Sequence, residues 1–370
     1  MNYPISIACS LLFSSLLCTA QSAISISTLG SVTIHLRNPD ELSFHGKVFA
    51  HFEVIDERPD TARIGVHLYV PTFGWNRARQ LVFHRPVAAE LADYLNAGFA
   101  RPGAPYTALI VLRDLWLSDA NYLREDMLKD PDKLHERTHI RLKAELYATK
   151  DSLFIPVLRF DTTQVYKQDN RYTGDSYYAS WGYNLAGILN NMADSAGRLA
   201  NTKDGHSRLV SRADIEDFNH SRFVAPIGIA ADLTAGVYAS FDEFRNNTPS
   251  IRDFEIKMEH KERLLYIREP NGKSYYSHDA WGYCDGKDIF IMRDGMLCQA
   301  WREGGAFYFH GGTYREVIVP PGFIGLGKPG VPNTGTGQVY NPSNVNNSGQ
   351  AMEVKARTIF MIDMDSGAVY

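Results

Sequence analysis

The stretch Gly236-Val237-Tyr238-Ala239-Ser240-Phe241-Asp242-Glu243-Phe244-Arg245-Asn246-Asn247-Thr248-Pro249-Ser250 divides the chain into two differently patterned halves. It reads as a strand end, a short capped helix and a stop. Ser240 is a side-chain N-cap, and Glu243 three residues on completes a capping box. Phe241 and Phe244 are spaced to share one helical face. Asn246 and Asn247 end the helix, and Pro249 forbids its continuation. So short a helix persists only with its apolar face buried. The expected seat is the start of the second half, near Phe254 and Ile256.

Before this stretch the pattern is mixed. Val32–Leu36, Lys47–Ile55 and Ile64–Val70 are strand-like. Pro86 opens a helix carrying Val87, Leu91, Tyr94, Leu95 and Phe99 on one face. Ala108–Leu117 is a strand. Ile140, Leu142, Ala144 and Leu146 alternate with Arg141, Lys143 and Glu145, the mark of a half-buried antiparallel strand. Ser152–Phe160 follows as its neighbour. Leu185, Ile188, Leu189, Met192, Ala196 and Leu199 form the stripe of a long helix. Residues 201–225 are polar and linker-like, with a short helical piece near Ser211–Phe218. The expectation is an α+β domain over 21–225, a sheet with two helices packed on one face.

After the stretch the elements are short strands. Phe254–Met258, Leu264–Arg268, Lys273–Cys284, Asp288–Met292, Leu297–Arg302 and Ala306–His310 are separated by Asn271-Gly272, Asp285-Gly286, Asp294-Gly295 and Gly304-Gly305, all hairpin signals. This predicts a C-terminal antiparallel β-meander domain over 226–370. Within it, residues 320–350 are rich in Gly, Pro and Asn and read as a flexible loop. Thr358–Asp363 is too apolar for a tail and is expected to dock back on that sheet.

Length and charge narrow the class. The chain has 370 residues, room for two domains, and a net charge of −4 that gives no basic excess for nucleic acid. Ile5–Cys18 is an apolar run too short to span a bilayer, followed by the small residues Cys18-Thr19-Ala20. Residues 1–20 are therefore read as a cleaved signal peptide, although Met1–Pro4 carries no Lys or Arg. Leu17 is too large for a good lipobox before Cys18. No later run reaches membrane-spanning length, so no transmembrane segment is expected in the mature chain. Cys284 and Cys298 fall on strands separated by an intervening one, roughly 10 Å apart, too far to bridge.

Two segments carry a resemblance. The G-V-Y-x-S-F-x-E-F-x-N-N-x-P pattern of Gly236–Pro249 and the block Trp281-Gly282-Tyr283-Cys284-Asp285-Gly286 resemble a group of uncharacterised exported proteins of Gram-negative bacteria with no established function. The resemblance covers roughly the C-terminal third. It implies the periplasm or the extracellular space, including a peripheral place on the outer membrane, and no activity. The N-terminal element order is similar to that of small periplasmic envelope-assembly and transport-auxiliary domains, a likeness of fold order alone.

Several motifs bear on chemistry. His135-Glu136-Arg137-Thr138-His139 matches the H-E-x-x-H of zinc peptidases, where a helix turns both His toward one metal. Here Arg137 replaces an apolar residue, and His139 runs straight into a strand. Gly322–Lys328 and Gly325–Gly330 fit phosphate-loop patterns, but Val331-Pro332 follows where a helix is needed. Asp363-Met364-Asp365-Ser366-Gly367 is a turn lacking the remaining ligands of a calcium loop. Trp281, Tyr283, Trp301 and Tyr308 crowd adjacent strands and offer an aromatic patch for a glycan or a partner, against the plainer reading as core. The leading expectation is a non-enzymatic exported protein of the cell envelope that binds a protein or envelope component and needs no cofactor. The alternatives are a hydrolase, with His135, Glu136 and His139 as its metal set, and a carbohydrate-binding protein.

Overall fold

In a computed structural model the described residues are 26–37, 48–69, 77–119, 136–150, 152–167, 175–202, 209–259, 262–293, 295–318 and 351–370. The expected signal peptide, the Gly-rich loop motifs, His135 and the segment 320–350 lie outside them. About 25% of the described residues are helical and 46% are strand, an α+β composition.

The first sheet is organised by β5 (Tyr106–Asp119), a strand of 14 residues. It is long enough to take two short parallel neighbours along one edge. β2 (Phe49–Asp56) pairs with its first half, and β3 (Gly65–Tyr69) with its end. Gly65 enters β3 so close to β5 that a Cβ there would lie 1.9 Å from the Leu117 carbonyl oxygen. β4 (Arg77–Val82) joins β3 to β1 (Ser31–Thr33), and β6 (Glu136–Lys150) and β7 (Leu153–Lys167) extend the other edge, antiparallel. Two helices, α1 (Val87–Phe99) and α2 (Asp175–Thr202), bury their stripes on one face of this sheet. Leu91, Leu95, Trp181, Leu185 and Leu189 meet Leu112, Leu142 and Ala144 there. The opposite face is covered too. The helical piece expected within the linker is present as α3 (Arg212–Phe223), whose Ile215 packs on Leu109, Val111, Tyr147 and Phe154.

Past α4 (Pro226–Ile229) the chain builds a six-stranded antiparallel sheet. Its order is β16 (Ala351–Ile362), β15 (Ala306–Ile318), β14 (Met296–Glu303), β13 (Ile289–Arg293), β12 (Gly282–Cys284), β8 (Gly236–Tyr238). The meander is not one sheet. β9 (Phe254–Glu259), β10 (Glu262–Arg268) and β11 (Ser274–Tyr276) form a separate three-stranded sheet packed on one face of the six-stranded one. The run read as one strand, Lys273–Cys284, breaks because it changes sheets. The Ser277 N–H bonds the Leu265 carbonyl on β10, whereas the Trp281 N–H bonds the Tyr238 carbonyl on β8. The last strand docks as anticipated, β16 lying antiparallel to β15. Cys284 and Cys298 are not joined to each other, lying on β12 and β14 with β13 between.

The capped segment forms α5 (Phe241–Arg245). The Glu243 N–H donates to Ser240 Oγ at 3.3 Å, and Glu243 Oε2 accepts from the Ala239 N–H at 2.7 Å and the Ser250 N–H at 3.2 Å. Phe244 is fully buried, stacked on Trp281 at 4.2 Å and edge-on to Tyr238 and Phe307. Its seat is not the one expected. Phe254 and Ile256 pack on the other face of the sheet, beside Val237 and Tyr283, because successive strand residues point to opposite faces.

The two large sheets share a core. Val66 and Trp116 of the first meet Tyr308, Ile359 and Met361 of the second. Two polar links reinforce it: the Tyr308 hydroxyl donates to Asp60 at 2.6 Å, and Arg63 pairs with Glu303 at 2.9 Å.

Candidate functional site in the cavity between the sheets

Position 113 decides what the first sheet presents to the second. Up to Leu112, β5 turns Ala108, Ile110 and Leu112 toward the helices. A bulge then inserts Arg113, so that Leu112 pairs with Ala144 but Asp114 pairs with Lys143. The extra residue reverses the alternation. Leu115 and Leu117 now face the helices, and Trp116 faces the second sheet.

Asp114 and Trp116 line a cavity of about 290 Å³ between the sheets. Its walls come from both halves: the segment Asp56–Asp60 after β2, Arg113–Trp116 of β5, Lys143 of β6, residues 224–229 around α4, and Met361–Asp365 at the end of β16. Ile229, 73% exposed, stands at the rim toward solvent.

Most charges around this space are held by one another. Arg58 grips Asp56 with Nε at 2.7 Å and Nη2 at 2.8 Å, and its Nη1 donates to the Arg63 carbonyl. Asp60 accepts from Tyr308 and from the Ala62 N–H, and lies 3.1 Å from Arg63 Nε. Lys143 reaches Asp365 at 2.5 Å. Asp363 is fixed by its own turn, accepting from the Asp365 N–H at 2.9 Å and Ser366 Oγ at 2.8 Å. That is the turn expected of Asp363–Gly367, closed by the Gly367 N–H on the Asp363 carbonyl.

Asp114 is held less firmly. Its nearest cation, Arg141 Nε, stands 3.5 Å away, beyond hydrogen-bond length for a charged pair. Arg141 is committed to Asp161, and lies 3.9 Å from Asp363. Burial, then the neighbouring Asp363, push the Asp114 carboxyl up to about 7. Behind the wall, Asp60 and the burial of Tyr308 act in one direction: burial first, then the carboxylate, hold the Tyr308 phenol well above its ordinary range.

The residues singled out by sequence fall elsewhere. Tyr283 and Tyr308 are buried, Tyr283 stacked on Phe290 under the small sheet and Tyr308 in the shared core. Trp281 lies on the opposite face against Phe244, and Trp301 is half-buried beside Tyr308 and His310. The four make no common exposed row, because alternation sends them to different faces. Only Tyr308 touches the cavity's frame, through Asp60. Glu136 and His139 lie in the extended β6, so the helix that H-E-x-x-H requires is not formed there. Among the described residues no group of three or more His, Cys, Asp or Glu is placed to hold a metal ion. No described helix is long and apolar enough to cross a membrane.

Asp114, Lys143 and Arg141 were missed as site residues. Arg141 and Lys143 read as solvent-facing in an alternating strand, yet Arg141 is 6% exposed because the second sheet covers that face. One signal was visible: two adjacent charges, Arg113-Asp114, interrupt the apolar run Ala108–Leu117.

No known family matches the chain, and no curated protein matches it. Among solved structures, one similar chain is a Xanthomonas campestris protein described as a member of DUF330. It has 12% sequence identity and a TM-score of 0.29, over 46% of this chain and 97% of that one. An uncharacterised protein shows 10% identity and a TM-score of 0.25 over the same shares. Likenesses this remote carry no argument about fold or function.

Proposed function

We propose that this chain is an exported, non-enzymatic binding protein of the cell envelope, and that its ligand occupies the cavity between the two sheets. Export rests on the apolar run Ile5–Cys18 and the small residues that follow it. Binding rests on one observation: Asp114 lines the cavity, its side chain 14% exposed, with only a long ion pair at 3.5 Å to an Arg141 that is itself committed to Asp161, while its other charged neighbours are held by each other. A buried carboxyl left in that state is completed by something that enters. The mutual engagement of the other charges suits a preformed seat.

Two measurements test this. The intact mass of protein made in an exporting Gram-negative host should correspond to cleavage after Ala20; a retained Met1, or a diacylglyceryl adduct on Cys18, counts against it. Native mass spectrometry of that protein should show a small co-purifying ligand, lost in Asp114→Asn. A ligand that persists in the variant would place binding elsewhere.

A second reading, a hydrolase, is favoured by the titration of Asp114. A carboxyl near 7 in a cleft is matched to proton transfer at neutral pH. Turnover of chromogenic esters or glycosides that vanishes in Asp114→Asn would replace the binding reading with this one.

A further inference from the structure

We infer that the cavity takes a small, neutral, polyhydroxylated molecule of about monosaccharide size, hydrogen-bonded through its hydroxyls to Asp114 and the groups beside it and lying against the Trp116 ring. This rests on the cavity being the binding site, and adds the class of ligand.

Size comes first. A volume of about 290 Å³ lies at the small end of ligand pockets, which run from roughly 300 to 1,000 Å³. The wall then selects on charge. Asp114 stands directly across from Lys143 on the neighbouring strand, with Arg113 on one side and Asp363 on the other sheet. A cation entering here meets Lys143 and Arg113. An anion meets Asp114 and Asp363. A hydroxyl donates one hydrogen bond and accepts two, so it bridges a carboxylate and an ammonium and leaves neither unmatched.

Protonation works in the same sense. Burial keeps Asp114 partly neutral at neutral pH, which makes it a weak counter-ion for a cation. A hydroxyl partner is indifferent to this, accepting from the acid and donating to the carboxylate. Finally, Trp116 is 2% exposed, forms part of the wall, and has an indole N–H without a hydrogen-bond partner among the described residues. Tyr308 lies 5.8 Å from its ring. An aromatic surface beside alternating donors and acceptors fits the C–H faces and hydroxyl edges of a sugar ring.

The experiment is titration calorimetry on the full mature protein with D-glucose, D-galactose, D-mannose and N-acetylglucosamine, and with cadaverine and succinate as the charged alternatives. At least one sugar should bind with one-to-one stoichiometry. Asp114→Ala, which removes the group that both protonation states offer to a hydroxyl, should weaken it by about tenfold or more. Ile229→Trp, which narrows the rim without touching the charges, should weaken it as well and serves if Asp114→Ala does not fold. Trp281→Ala should leave it unchanged. Binding of cadaverine or succinate but of no sugar, sensitive to Asp114→Ala or Ile229→Trp, overturns the ligand class and leaves the cavity reading standing. Sugar binding lost in Trp281→Ala but kept in Ile229→Trp, or binding by none of the six compounds, overturns the cavity reading itself.

Discussion

Ser240 and Phe244 divide the stabilisation of a five-residue helix between them. Ser240→Ala removes one cap hydrogen bond, and should cost about 1 kcal/mol in denaturant melts. Phe244→Ala empties a site closed on three sides by Tyr238, Trp281 and Phe307, and should cost about 3–5 kcal/mol. Equal costs would mean that the ring is not the anchor. Asp114 makes a prediction of the opposite kind. Its folded pKa is raised, so between its unfolded value and about 7 the native state binds the extra proton. Its contribution therefore falls as pH rises through that window and stays low above it. Comparing melts of wild type and Asp114→Asn, the wild type should lose on the order of 1–4 kcal/mol relative to the variant between pH 4 and pH 8. A difference that stays flat, or grows with pH, would show that Asp114 ionises normally. Glu243 runs the other way. Against the upward push of its partial burial, the Ala239 and Ser250 N–H groups hold it below its usual range, so the cap weakens in acid.

At the scale of elements, β15 and β16 stay paired out to Ile318 and Ala351. The two ends joined by residues 319–350 are thus cross-strand neighbours. Replacing that segment with Asn-Gly, the sequence of a tight hairpin turn, should leave the fold intact. The check is soluble expression with an unchanged circular dichroism spectrum. Insoluble protein would mean that the segment contributes to folding. The elements legible in the sequence were those with a strong local signal: the stripe of α2, the cap of α5, the alternation of β6 and the Asp-Gly hairpins. β4 was not, because Arg77-Ala78-Arg79-Gln80 has no strand pattern, and its place is fixed by pairing with β3 and β1. α3 was legible only as a short piece near Ser211–Phe218, and its packing on the sheet was not, because its polar sequence offers little more than Ile215 to bury. The site was least legible. Local periodicity reports that a residue leaves the helix-facing side of a strand, but not whether water or another sheet waits on the far side.

For the whole molecule, the shared core around Trp116 and Tyr308 links the halves more closely than the change of texture near residue 226 implies. Chemical denaturation should give one transition, coincident by tryptophan fluorescence and far-ultraviolet circular dichroism. Two separated transitions would mean that the sheets unfold independently. Tyr308→Phe, which orphans a bond to the buried Asp60, should cost about 1–3 kcal/mol and lower that single midpoint. The insertion of Arg113 into β5 carries a last consequence. The ladder passes from the pair Leu112–Ala144 directly to Asp114–Lys143, so Arg113 is the residue that the bulge absorbs. Excision of position 113 closes the bulge and leaves Asp114 and Trp116 outward and Leu115 and Leu117 inward. Excision of Leu115 is not absorbed in this way: with the bulge kept, Trp116 turns beneath the helices, and with the bulge closed, Asp114 does. A deep mutational scan should therefore tolerate loss at position 113 but not at position 115. Equal intolerance at both would show that the Arg113 side chain, and not the parity of the strand, is what the pocket depends on.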